Sequence, residues 1–160
     1  MSRLPRSTPV AEAADWLALD HQLCFAVYSA SLAMTKLYKP LLEPLGLTYP
    51  QYLVMLVLWE QDGLTVSQLG ERLSLDSGTL TPLLKRLQTA GLLQRLRDAG
   101  DERRVLLQLT PAGRKLKSRA GRVPHIVACA SGCKLNELAS LTAQLKRLRT
   151  QLNQFTPQAA

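Results

Sequence analysis

The hydrophobic period of this chain changes at Gly91 and changes back at Thr110. Before Gly91, leucines return every three or four residues, the spacing of helices with one buried face. Between Gly91 and Thr110, the runs Leu92–Arg97 and Val105–Leu109 read as two strands around a charged tip, 98–104. Helical spacing then resumes, with Pro111 in a first-turn position where its missing N–H costs nothing. Leucine dominates and aromatics are scarce, which favours helices over a β-sandwich.

The residues before Gly91 narrow the choice. Thr65 with Gln68 three residues on is a capping-box pattern opening a short helix over Val66–Leu73. A polar turn, 74–77, follows. Leu80, Leu83, Leu84 and Leu87 then carry a second helix from about Ser77 to Ala90, stopped by Gly91. Helix, tight turn, helix and strand pair make a winged helix-turn-helix. The expected fold is mainly α with a small β-wing.

A helix from Asp15 or Asp20 to about Glu43 carries Leu19, Leu23, Val27, Leu32, Leu37 and Leu41; Pro40 is expected to kink it, and Pro44 with Gly46 to end it. The next helix, 51–61, is apolar nearly all round and therefore buried. A helix from about Ala112 towards Ala130 is expected to kink at Pro124. A last one, Leu135–Leu152, has Leu138, Leu141, Leu145, Leu148 and Leu152 on one stripe. The terminal helices hold more leucine than a small core absorbs, which points to a two-fold homodimer. The expected organisation is a flexible segment 1–14, a dimerisation and sensor helix within 15–47, a DNA-binding domain 48–110, C-terminal dimerisation helices 111–154 and a tail 155–160.

A net charge of +8 favours a polyanionic partner, nucleic acid or a membrane surface. The basic residues gather at the helix-turn-helix and wing, which selects double-stranded DNA. No apolar run reaches the roughly 18 residues that span a bilayer, and residues 1–9 have no apolar secretion core. A cytoplasmic location is expected, where three cysteines are not a structural disulfide framework. A regulator is expected rather than an enzyme, with no cofactor and no metal.

Ser77, Gly78, Thr79 and Thr81, at the start of the second helix, can approach a groove and offer hydroxyl and N–H groups to phosphates and bases. Lys85 and Arg86 lie one turn on. At the wing, Arg103 is expected to enter the minor groove, steadied by Asp101. A two-fold dimer sets its recognition helices about 34 Å apart, on a pseudo-palindrome.

Cys24 is either a small core hydrophobe or a reactive thiol, and a reactive thiol needs its thiolate stabilised. Tyr28 shares its helix face, and Tyr38 and Tyr49 are further uncharged donors. His125, Cys129 and Cys133, spaced by four, could line one helix face as metal ligands, but the spacing and the missing fourth ligand argue against zinc. Otherwise Cys129 and Cys133 are inert thiols or a resolving partner for Cys24.

Asp101-Glu102-Arg103 followed by Leu107-Gln108-Leu109-Thr110-Pro111-Ala112-Gly113 resembles the MarR family of winged-helix repressors. Leu23-Cys24-Phe25, Tyr38-Lys39-Pro40-Leu41-Leu42 and Leu47-Thr48-Tyr49-Pro50-Gln51-Tyr52-Leu53 resemble, within it, the organic hydroperoxide resistance regulators (the OhrR group) of the two-cysteine subclass. The resemblance implies that Cys24 is the peroxide-sensing thiol, with Tyr38 and Tyr49 hydrogen-bonded to it and Tyr28 in its pocket. It implies that Cys129 of the other subunit resolves the sulfenic acid formed on Cys24 into an inter-subunit disulfide, Cys133 being spare, and that the oxidised dimer leaves DNA. His21 stands where an uncharged amide is expected. A pocket lined by Phe25, Met34 and Leu56 would favour apolar hydroperoxides as oxidants. The rival readings are a regulator answering a reversible small ligand, a thiol peroxidase using Cys24, and a membrane-surface helix protein.

Overall fold

The computed structural model describes residues 17–97, 100, 101 and 104–155. A 3-10 turn, Leu19–His21, leads into α1 (Leu23–Leu42), and a second, Glu43–Leu45, leads to α2 (Tyr49–Glu60). Strand β1 (Leu64–Thr65), α3 (Val66–Leu73), α4 (Ser77–Thr89), β2 (Leu93–Arg97) and β3 (Val105–Leu109) form the winged unit. Helices α5 (Pro111–Ala120), α6 (Val123–Ala130) and α7 (Leu135–Gln154) follow.

The capping expectation holds. Gln68 N–H donates to the Thr65 hydroxyl at 3.2 Å and the Gln68 side chain accepts from Thr65 N–H at 2.9 Å. Ser74 turns the chain in a left-handed conformation, φ 56°, between the two helices. Helix α2 is buried on most sides, through Tyr52, Val54, Met55, Val57 and Leu58, and the other core leucines pack around it.

Three expectations need correction. Helix α1 starts at Leu23, not at Asp15 or Asp20, and its N-cap, Gln22, makes no side-chain cap; residues 1–16 lie outside the described residues. Pro40 lies inside α1, which ends at Leu42, and Gly46 turns the chain at φ 67° after the 3-10 turn, close to the end expected at Glu43. The helix expected over 112–130 is two helices: Pro124 stands near the start of α6, where no intrahelical donor is needed, and the break falls upstream, at Gly121 and Arg122. The wing is three-stranded, because β1 pairs antiparallel with β3 (Leu64 with Leu107) in the order β1-β3-β2. A two-residue strand leaves no alternation to read.

Three polar joints hold the wing to the helices. Asp62 accepts from Leu109 N–H at 2.8 Å and pairs with Arg114 at 2.8 Å. Trp59 donates from Nε1 to the Gly113 carbonyl at 2.9 Å. The Thr110 hydroxyl donates to the Gly91 carbonyl at 2.6 Å and accepts Gly113 N–H at 3.1 Å. The backbone at Gly113 runs so close to β2 that an added Cβ would stand 2.0 Å from the Leu92 carbonyl oxygen.

Candidate sensor site and DNA-binding surface

Helix α4 buries Leu80, Leu84 and Leu87 and turns Ser77, Gly78, Thr79, Thr81, Lys85 and Arg86 outward. Its N-cap is Asp76, absent from the residues singled out above although Asp followed by Thr at the third helical position is a cap signal. The Asp76 carboxylate accepts Thr79 N–H at 2.8 Å and the Thr79 hydroxyl at 2.9 Å. Those bonds hold the Asp76 carboxyl below its ordinary range. The Thr79 donors are therefore committed to Asp76, while the Thr81 hydroxyl donates to the Ser77 carbonyl at 2.7 Å and keeps its lone pairs.

Arg95, from β2, reaches the Thr81 carbonyl at 3.4 Å and ties the wing to the recognition helix. Its Nε is buried with no partner among the described residues. At the wing tip, Arg104 N–H donates to the Asp101 carbonyl at 2.9 Å. Arg103 lies outside the described residues.

Cys24 is exposed, in the first turn of α1, so it is not a core residue of this chain. Phe25, Tyr28 and Met34 are exposed on the same helix, Tyr28 at 61%. Tyr38, from α1, meets Tyr49 and Tyr52, from α2, with ring centroids 4.6 and 5.8 Å away. Burial, then the neighbouring phenols of Tyr49 and Tyr52, pushes Tyr38 up to about 12. Burial raises Tyr49 as well, and burial with Tyr49 beside it raises Tyr52. These phenols stay protonated, and so remain donors, across the physiological range. Tyr52 is expected from sequence only as a core residue.

The structure does not bring Cys24 and the tyrosine pair together within one chain. Cys24 and Tyr38 are fourteen residues apart on one helix, about 21 Å along its axis at 1.5 Å per residue. Leu56, expected in the same pocket as Phe25 and Met34, instead lines a cleft with Tyr52, Trp59 and Pro124. A separate apolar groove of about 710 Å³ lies beside the tyrosines, lined by Leu32, Thr35, Lys36, Lys39, Tyr49 and Pro50 among others.

Cys129 and Cys133 are exposed free thiols. The metal face drawn from sequence does not form. Helix α6 ends at Ala130, Gly132 turns the chain at φ 67°, and Cys133 lies off the helix. No group of three metal-ligating side chains occurs among the described residues. His125 Nδ1 stands 3.8 Å from Cys129 Sγ. Helix α7 buries none of its residues, and Leu135, Leu141 and Leu152 are at least half exposed. No single helix among the described residues is long and apolar enough to cross a membrane.

A capped recognition helix, a three-stranded wing and apolar flanking helices define a winged-helix DNA-binding regulator rather than an enzyme. The model of the family described as transcriptional regulator SarA/Rot matches residues 36–120, and the chain belongs to this MarR-like winged-helix family. It is 52% identical over 136 residues to the HTH-type transcriptional regulator TtmR of Methylorubrum extorquens, covering 85% of this chain and 70% of that protein. It is 48% identical over 140 residues to the organic hydroperoxide resistance transcriptional regulator of Bacillus subtilis, covering 88% and 95%. Among solved structures, reduced AbfR bound to DNA superposes with a TM-score of 0.72 at 33% identity, covering 88% of this chain and 99% of that one. AbfR, of Staphylococcus epidermidis, has also been solved in disulfide-formed and overoxidised states.

Proposed function

We propose that the chain is a redox-sensing repressor: the reduced homodimer holds a pseudo-palindromic operator, and an organic hydroperoxide oxidises Cys24 and releases it. The observation that carries this reading is the separation of Cys24 from a packed, protonated tyrosine pair, Tyr38 of its own helix and Tyr49 of α2. Two such half-sites are incomplete alone and complete when a second copy sets its Cys24 against Tyr38 and Tyr49. The exposed apolar residues of α1 and α7 supply the surface for that copy: Leu23 is 60% exposed and Leu135 78%.

In the dimer, Tyr38 and Tyr49 donate to the Cys24 thiolate, and Phe25 and Tyr28 border it. The thiolate takes the terminal oxygen of the hydroperoxide to become a sulfenic acid. Cys129 of the other subunit then displaces hydroxide, forming an inter-subunit disulfide. Linking α1 to α6 across the dimer moves the two winged units relative to one another. About 1.4 kcal/mol of differential strain changes operator affinity tenfold. On the DNA side, Ser77, Gly78, Thr81, Lys85 and Arg86 face the major groove, and Arg103 with Asp101 the minor groove.

The test is a gel shift on the chain's own upstream DNA, before and after cumene hydroperoxide and then dithiothreitol. Release by the peroxide and recovery with the thiol are expected. The apolar groove beside Tyr49, with Lys36 and Lys39 on its wall, favours a second reading: a regulator answering a reversible apolar anion. Release by such a ligand, with no response to peroxide or dithiothreitol, would select it.

A further inference from the structure

His125 and Cys129 stand four residues apart on α6, the spacing that sets two side chains on one helix face. The 3.8 Å between His125 Nδ1 and Cys129 Sγ is within reach of an S–H···N hydrogen bond, and both side chains are exposed. Among the described residues the pair belongs to no group of three metal-ligating side chains. We infer that His125 is the general base of Cys129: with its proton on Nε2, the imidazole takes the thiol proton at Nδ1 and delivers a thiolate. The inference rests on the pairing of Cys24 with Cys129 proposed above and adds a residue to it.

Glu60, from α2, lines a cleft with Pro124 at the start of α6. Neither α6 nor α1, which packs against it, carries an Asp or Glu. The charged groups on these helices and at the ends of α6 are Lys36, Lys39, Arg122 and Lys134, and the titratable ones on α1 are Cys24, Tyr28 and Tyr38. The first carboxylate after α6, Glu137, is engaged by Lys134 N–H at 2.7 Å.

The chemistry balances in two steps. The Cys24 thiolate attacks the terminal oxygen of an organic hydroperoxide: an S–O bond forms, the O–O bond breaks, and the alkoxide leaves and takes up a proton as the alcohol. The Cys129 thiolate then attacks Cys24 Sγ: the S–S bond forms, the S–O bond breaks, and the hydroxide leaves as water with the proton held on His125. No second oxidant is required.

The full-length protein is pulsed with cumene hydroperoxide from about pH 6 to about pH 9, and the two steps are followed separately. Dimedone trapping reads the sulfenic acid, and non-reducing electrophoresis after acid quench reads the disulfide. His125→Ala and His125→Gln are expected to keep the first rate. At pH 7 both are expected to slow disulfide formation by at least about threefold, allowing for the lower nucleophilicity of a more acidic thiol. The deficit is expected to close by about pH 9, where a thiol ionises unaided. Disulfide formation at the wild-type rate in both variants at every pH overturns the inference. An equal slowing of the first step overturns it too, since His125 then acts on the structure. Cys129→Ser, run in parallel, separates the two ideas: a disulfide-linked dimer that persists there sinks the cysteine pairing itself, whatever the His125 variants do.

Discussion

Tyr38 packs against Tyr49 of α2 with ring centroids 4.6 Å apart and planes tilted by 41°, at the opposite end of α1 from Cys24. Tyr38 and the thiol of the proposed sensor therefore belong to different ends of one helix, with Tyr49 held beside Tyr38 by α2. In the proposed dimer, two such helices in opposite directions would bring each thiol to the other chain's phenols.

Mixed dimers test this directly. One chain carries Cys24→Ser, and the other carries Tyr38→Phe with Tyr49→Phe. If the site is built across chains, the hybrid retains one intact site and is sulfenylated by cumene hydroperoxide at about half the wild-type extent. If it is built within a chain, no intact site exists and dimedone labels the hybrid no faster than the double tyrosine variant. Each missing hydrogen bond to a charged sulfur is expected to cost about 1.5–3 kcal/mol, enough to slow that variant tenfold or more at pH 7.

The tyrosine cluster also gives the fold an alkaline limit. Tyr38 is raised from 10.0 to about 12, by burial first and then by Tyr49 and Tyr52. A raised value means that the folded chain holds its proton longer than the unfolded chain. That stability is fully present below pH 10 and is lost as the pH rises from there towards about 12. Thermal melting followed by circular dichroism across this window is expected to fall steeply in the wild type and less steeply in Tyr38→Phe. Equal slopes would detach Tyr38 from the alkaline transition.

Two glycines at the ends of α5 make a matched pair. At Gly113 a Cβ would stand 2.0 Å from the Leu92 carbonyl oxygen, whereas at Gly121 the nearest atom is 3.4 Å away. Gly113→Ala is expected to destabilise by about 2–3 kcal/mol, because rigid backbone has to move. Gly121→Ala, at an ordinary φ of −58°, is expected to be neutral or stabilising by up to about 1 kcal/mol. Urea unfolding of both variants checks the contrast, and equal stabilities would remove the close approach of α5 to the wing.

Much of this fold is legible because its signals are local. The Thr65–Gln68 box, the leucines of α4 and the period change at Gly91 each fix a boundary within a few residues. What stays hidden is tertiary. Strand β1 exists only because β3 lies beside it. The roles of Asp62 and Gly113 depend on partners about fifty residues away, Leu109 and Trp59. The three-residue tyrosine cluster joins two helices, so spacing names its members but does not gather them. The separation of Cys24 from Tyr38 is different, since fourteen helical residues already forbid their meeting within a chain.

On the DNA side, Arg103→Ala is expected to weaken operator binding by about 1–3 kcal/mol and to relax selectivity at the minor-groove positions. Lys85→Ala is expected to weaken all sequences alike and to lower the slope of log affinity against log salt by about 1, the share of a single phosphate. Titrations at several salt concentrations separate the two effects, and unchanged affinity in Arg103→Ala would take the wing tip out of the interface.

The most direct measurement is operator binding by Cys24→Ser with and without cumene hydroperoxide. The variant is expected to bind its upstream DNA like the reduced wild type and to stay bound at peroxide concentrations that release the wild type. Release of Cys24→Ser by the peroxide, to the same extent as the wild type, would contradict the claim that this thiol is the sensor.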